Sequence, residues 1–97
     1  MRISDSTLRR FWKNYRPGGR ATKGIDPMVA EHLWDLLSAL NAAVRPEDMK
    51  QPGWAFHTLT GNRKGQYALE IRAQFRLVFE WDNGEPVRVR QEDYHGH

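Results

Sequence analysis

Cysteine is missing from the chain, which excludes a disulfide framework and any thiolate metal site and suits a cytoplasmic setting. No apolar run approaches the roughly 18 residues of a membrane span, and the N-terminus lacks the apolar core of a signal peptide, so no membrane association is expected. There is no phosphate-cradling glycine loop; Gly61 and Gly65 merely bracket Asn62-Arg63-Lys64 in a turn. His32, His57, His95 and His97 lack paired ligand spacing, so neither a metal nor another cofactor is expected. His32 reads as an exposed helical residue and His97 as a disordered end. Repeats and low-complexity segments are also lacking. Carboxylates are scarce in one region: among residues 1–24, only Asp5 opposes Arg2, Arg9, Arg10, Lys13, Arg16, Arg20 and Lys23. Such a stretch is either a site for a polyanion or acidic protein, or a solvated face.

What the chain does have suffices for one core. Its 97 residues imply a single domain spanning 1–97, and a hydrophobic content of 39% argues against disorder. Leu8, Phe11, Trp12 and Tyr15 fall at i, i+3, i+4 and i+7, which predicts a helix capped by Ser6 and ended by Arg16-Pro17-Gly18-Gly19. Residues 1–5 have room for a short strand. Asp26 and Pro27 open a second helix, whose stripe comprises Val29, Leu33, Leu36, Leu37, Leu40 and Val44. Residues 45–53 form a turn-rich connection with room for one helical turn.

From Trp54 the period changes to two. Tyr67, Leu69 and Ile71 alternate on one strand, and Phe75, Leu77, Phe79 and Trp81 on the next. Pairing Ile71 with Phe75 keeps both sets on one face, leaves Arg72-Ala73-Gln74 as the connection, and sets Glu70 opposite Arg76. Asn83-Gly84 marks the next reversal, after which Val87 and Val89 continue the apolar face. Arg76, Glu80, Arg88, Arg90 and Glu92 share the other face. The expected fold is α+β, with two N-terminal helices packed on one side of a small antiparallel sheet.

The polar sheet face is the place to look for chemistry. Cleaving RNA without a metal requires a base for the 2′-hydroxyl, an acid for the 5′-oxygen and fixed cations for the phosphorane. His57, Arg63, Lys64, Arg76, Tyr94 and His95 supply these types. Each also has a plain structural role open to it, so a nuclease and a basic binding module both fit these residues.

The segment "PGWAFHTLTGNRKGQYALEIRAQFRLVFEWDNGEPVRVRQEDYH", Pro52 to His95, resembles the HigB branch of the RelE/ParE superfamily of bacterial type II toxins. The family pattern has PGW followed by H-x-L, a glycine-bracketed turn, an alternating strand, an aromatic-Arg strand and a terminal DYH. The stretch from Gly24 to Trp54 resembles the family's long helix and its P-E-D-[ML] connection. The resemblance implies a RelE-like fold and a ribosome-dependent mRNA endoribonuclease that arrests growth. It also implies neutralisation by a HigA-like helix-turn-helix antitoxin, through which alone the toxin would reach operator DNA.

Carried over residue by residue, the resemblance makes His57, Arg76, Asp93, Tyr94 and His95 the catalytic set. It assigns proton transfer to His95 or His57, phosphate charge to Arg76, and stacking or 2′-hydroxyl positioning to Tyr94. Arg9, Arg10, Lys13, Arg16, Arg20 and Lys23 would meet ribosomal RNA phosphates, with Arg63, Lys64, Arg72, Arg88 and Arg90 as further RNA contacts. Two positions depart from the pattern: Thr60 and Glu70 stand where many relatives have lysine and arginine. Arg72, Arg88 and Arg90 are cations available to compensate. The alternatives are a ParE-like gyrase poison, which lacks the terminal histidine motif, and a catalytically silent RNA-binding co-repressor, which Thr60 and Glu70 favour.

Overall fold

A computed structural model describes residues 1–94; His95, expected in the catalytic set, and His97 lie outside the described residues. The chain runs through helices α1 (Ser6–Asn14) and α2 (Pro27–Ala42), then strands β1 (His57–Thr58), β2 (Gln66–Arg72), β3 (Phe75–Asp82) and β4 (Glu85–Asp93). Single 3₁₀ turns occupy Pro46–Met49 and Gly61–Arg63. Among the described residues the strands form one antiparallel sheet in the order β1-β2-β3-β4. The expected α+β arrangement holds.

Helix α1 is capped one residue earlier than expected. Asp5, not Ser6, is the cap: its Oδ1 accepts the Leu8 amide at 3.0 Å, and its Oδ2 accepts the Gln91 amide at 3.3 Å. One carboxylate thus starts α1 and ties it to β4. The preceding residues run beside β4 and make one parallel bridge, Ile3 to Val89, rather than a strand. Helix α2 begins as its sequence dictates, with Asp26 accepting from the Met28 amide at 2.9 Å and Pro27 in its first turn. It ends before Val44, which is 76% exposed and therefore not part of the core stripe. There the Asp48 carboxylate takes the Val44 amide at 2.9 Å and turns the chain.

Leu8, Phe11, Leu33, Leu36, Leu37 and Leu40 from the helices are fully buried against Leu69, Leu77, Phe79 and Val89 from the sheet. Each such side chain contributes about 1.5–3 kcal/mol on burial. An aromatic row, Phe56-Tyr67-Phe79-Trp81, extends this inner layer with ring centroids 5.3–6.4 Å apart.

Two bulges change the expected register. Glu70 does pair with Arg76, but Arg72 rather than Ile71 pairs with Phe75, so the reversal is Ala73-Gln74 alone. Ile71 becomes the extra residue and stays in the core, while Phe75 is 42% exposed instead of buried. His32 explains how this bulge is held. Its Nε2 lies 3.0 Å from the Glu70 carbonyl, which requires the proton on that nitrogen, so His32 is a structural link between α2 and β2 rather than an exposed residue. The second bulge lies between Val78 and Glu80: Val78 pairs with Arg90, but Glu80 pairs with Val87. Arg88 adopts a positive φ of 49° there. Paired residues share a face, so Val87 lies on the outer side with Glu80, and only Val89 continues the inner core. The Asn83-Gly84 reversal forms as expected, with both residues at positive φ.

Candidate functional site

The face turned away from the helices is not uniformly polar. Ala68, Val78 and Val87 are buried on that side and form an apolar floor. Short side chains in mid-strand leave room for long ones from neighbouring rows to cross above them. Arg63, delivered by the 3₁₀ turn before β2, and Arg90 of β4 do so.

Their guanidinium groups meet three side-chain acceptors, and Arg90 Nη1 also donates to the Arg88 carbonyl at 2.7 Å. Glu92 Oε2 accepts from Arg63 Nη2 at 2.6 Å and from Arg90 Nε at 3.0 Å. Gln66 Oε1 accepts from Arg63 Nε at 3.0 Å and from Arg90 Nη2 at 3.0 Å. Arg90 Nη1 reaches Glu80 Oε2 at 3.4 Å, while Arg88 Nε donates to Glu80 Oε1 at 2.9 Å. Burial raises the Glu92 carboxyl, but hydrogen bonds and charge from Arg63 and Arg90 outweigh it and hold the group below the usual carboxylate range. The same contact, chiefly its hydrogen bond, holds Arg63 above its ordinary value.

Arg76 occupies the next row. Nη1 donates to the carbonyls of Ala73 and Phe75, the latter at 3.0 Å, and Nη2 lies 3.9 Å from Glu70 Oε2. The guanidinium carbon stands 5.5 Å from the centre of the Tyr94 ring. Tyr94 is itself anchored by its amide, which donates to the Gln74 carbonyl at 2.8 Å. Arg76 is thus oriented by backbone carbonyls of the bulged hairpin. It does not depend on Glu70 for its direction.

The expected site residues separate into groups. Arg63, Arg76, Arg88, Arg90 and Tyr94 come together on the outer face. Asp93 pairs with Phe75 at the end of β4 and is exposed. His57 is exposed on the edge strand, opposite Ala68 and two strands from Arg76, roughly 10 Å across the sheet. Lys64 lines a cleft beside Thr58, Thr60 and Tyr67. Arg72 turns to Asp26 at the start of α2, 3.3 Å away, and so is not gathered with the others.

Arg9, Arg10, Lys13, Arg16, Arg20 and Lys23 belong to α1 and its following loop, on the helical layer that covers the opposite side of the sheet. Among the described residues, none of these six forms an ion pair. Three donate instead to backbone carbonyls: Arg9 to Ile3, Arg10 to Lys23 and Arg16 to Tyr15. The contrast is chemical. On the sheet face every arginine just named meets a carboxylate, whereas the α1 surface keeps its positive charge uncompensated. Among the described residues there is also no group of three or more potential metal ligands.

Gln66 and Glu92 join the site without a local sequence signal. Their signal was available only through register, since Glu92 faces Arg76 and Gln66 faces Glu80 once the strands are paired. The family model described as "RelE-like toxin of type II toxin-antitoxin system HigB" matches residues 1–95. Endoribonuclease HigB of Proteus vulgaris is 28% identical over 74 residues, covering 76% of this chain and 80% of that protein. Toxin HigB-1 of Vibrio cholerae is 28% identical over 85 residues, covering 87% of this chain and 85% of its own.

Proposed function

Because the chain belongs to the HigB-like, RelE-related toxins of type II toxin–antitoxin systems, we propose that it is an endoribonuclease that cleaves mRNA on the outer face of its sheet. The observation that carries this reading is the placement of Arg76. A guanidinium fixed by two backbone carbonyls beside an aromatic ring is a preorganised cation, already oriented before charge develops on a phosphorane.

The reaction proceeds by attack of the 2′-hydroxyl on the adjacent phosphorus. A base removes the hydroxyl proton, the phosphorane forms, and an acid protonates the departing 5′-oxygen, leaving a 2′,3′-cyclic phosphate. Arg76 stabilises the phosphorane, the Tyr94 ring positions the reacting nucleotide by stacking, and His57 and His95 exchange the two protons. Asp93 completes the terminal motif at the end of β4. The α1 surface, with its uncompensated cations, holds the phosphates of ribosomal RNA and places the sheet face against the message. Family membership brings an antitoxin partner; we assign it the helix-turn-helix class, with operator DNA reached only through that complex. The reaction is cytoplasmic.

Induced expression without the antitoxin should arrest growth with fragmented mRNA; arrest with intact mRNA sinks the nuclease assignment. Purified protein should leave gyrase supercoiling untouched, which separates this reading from a gyrase poison. One observation favours a slower enzyme: Glu70 brings a carboxylate to Arg76, where it opposes an anionic transition state.

A further inference from the structure

In the middle of the outer face Arg63 and Arg90 share two acceptor oxygens, the amide Oε1 of Gln66 and the carboxylate Oε2 of Glu92. Glu92 Oε2 receives N–H groups from both Arg63 and Arg90, over the apolar floor of Ala68 and Val78. Two guanidinium groups aimed at one oxygen, with water kept out from below, form the donor geometry that suits a phosphodiester oxygen as well as a carboxylate. We infer that Arg63 and Arg90 form a phosphodiester-binding subsite for single-stranded RNA beside Arg76, and that Glu92 fills it in the RNA-free protein as an intramolecular competitor. This rests on the endoribonuclease reading and adds to it a subsite and a built-in brake.

Position, access and charge support it. Glu92 faces Arg76 across the β3–β4 pair, so a nucleotide engaged at Arg76 carries its neighbouring phosphate toward this oxygen. Arg63 and Glu92 retain 34% and 24% of their side-chain exposure, so an incoming phosphate reaches the pair without unfolding the sheet. Arg63, Arg76, Arg88 and Arg90 each meet a carboxylate. A polyanion therefore gains attraction on this face chiefly by taking over an existing partner's donors. Protonation does not release Glu92 near neutral pH, since its carboxyl lies below the ordinary range; displacement by another anion does.

The test measures binding of a labelled 2′-O-methyl RNA oligonucleotide, which lacks the nucleophile for cleavage, over a salt series. Glu92→Gln keeps the shape and removes the competitor, so binding should tighten about fivefold, as for loss of one modest ion pair. One more cation engaged with phosphate should steepen the logarithmic salt dependence by about 0.7. Arg63→Gln alone should weaken binding, and the Glu92→Gln gain should vanish in the double variant. Glu47→Gln removes the same charge from an exposed distant turn and should change affinity less.

Unchanged affinity in Arg63→Gln overturns the inference, as does a folded Glu92→Gln variant that binds no tighter. An equal gain in Glu47→Gln, or a gain that survives loss of Arg63, overturns it too. Cleavage of unmodified RNA by the wild type, with and without ribosomes, separates the two readings. Cleavage without the expected binding changes defeats the subsite alone; the binding changes without cleavage defeat the nuclease and leave the subsite standing.

Discussion

Replacing Glu70 with glutamine should make the protein a faster nuclease. Glu70 Oε2 lies 3.9 Å from Arg76 Nη2. At about 4 Å, opposite unit charges attract by about 1 kcal/mol in water-like surroundings and about 4 kcal/mol at an intermediate dielectric. The Glu70 side chain is 45% exposed, which puts the interaction at the lower end. That carboxylate offsets part of the positive charge Arg76 offers to phosphate, and the phosphorane carries one more negative charge than the ground-state diester. Removing the carboxylate therefore favours the transition state by about 1 kcal/mol, or about fivefold in rate. The substitution is structurally quiet. The backbone carbonyl and amide of Glu70, not its side chain, serve His32 and Trp54, and Arg76 keeps its own two carbonyls. Single-turnover cleavage of a short RNA, with thermal unfolding as a control, measures the effect. Glu70→Arg, which adds a cation, should exceed Glu70→Gln, and both gains should shrink at high salt. A Glu70→Gln variant of unchanged stability that cuts no faster than wild type would refute the electrostatic reasoning.

Removal of Arg76 by Arg76→Ala should lower the cleavage rate on the order of 10²–10³-fold, measured at saturating RNA so that binding does not enter. Arg76→Lys should recover only part, because its one ammonium cannot both hold the Ala73 and Phe75 carbonyls, as Nη1 does, and present a second nitrogen to phosphate. Because the folded Glu92 carboxyl lies below its ordinary value, its contribution to stability is present above the unfolded value of 4.5 and is lost as pH falls through the folded value. Denaturation from pH 7 to pH 3 should show a smaller acid loss in Glu92→Gln than in wild type; equal losses would mean that the carboxyl is not linked to folding. Asp5→Ala should lower stability by about 1 kcal/mol or somewhat more, since it removes a helix cap and the Gln91 amide's acceptor together. A change below a few tenths of a kcal/mol in denaturant titration would show that water replaces both contacts.

What was legible in the sequence was local. Asp26 and Pro27 announce α2 because a cap and a first-turn proline act on neighbouring residues, and the apolar period from Tyr67 to Trp81 reports a sheet with one face buried. The misses share a different cause. Ile71 and Phe75 alternate as though directly paired, and the bulge that separates them is held by distant partners such as His32, thirty-eight positions away from Glu70. The second bulge likewise moves Val87 to the outer face, where it completes a floor with Ala68 and Val78 that alternation alone assigns to solvent. The same distinction governs the site. Its arginines could be counted from the sequence, but whether they are available to an anion depends on cross-strand partners. Register supplies carboxylates to Arg63, Arg76, Arg88 and Arg90, while among the described residues the six cations of α1 and its loop receive none. A net charge of +3 thus conceals two unlike surfaces. On the reading proposed above, one attracts a polyanion at a distance and should answer steeply to salt, while the other should hold a phosphate only by displacing an internal carboxylate, and so discriminate by fit rather than by charge.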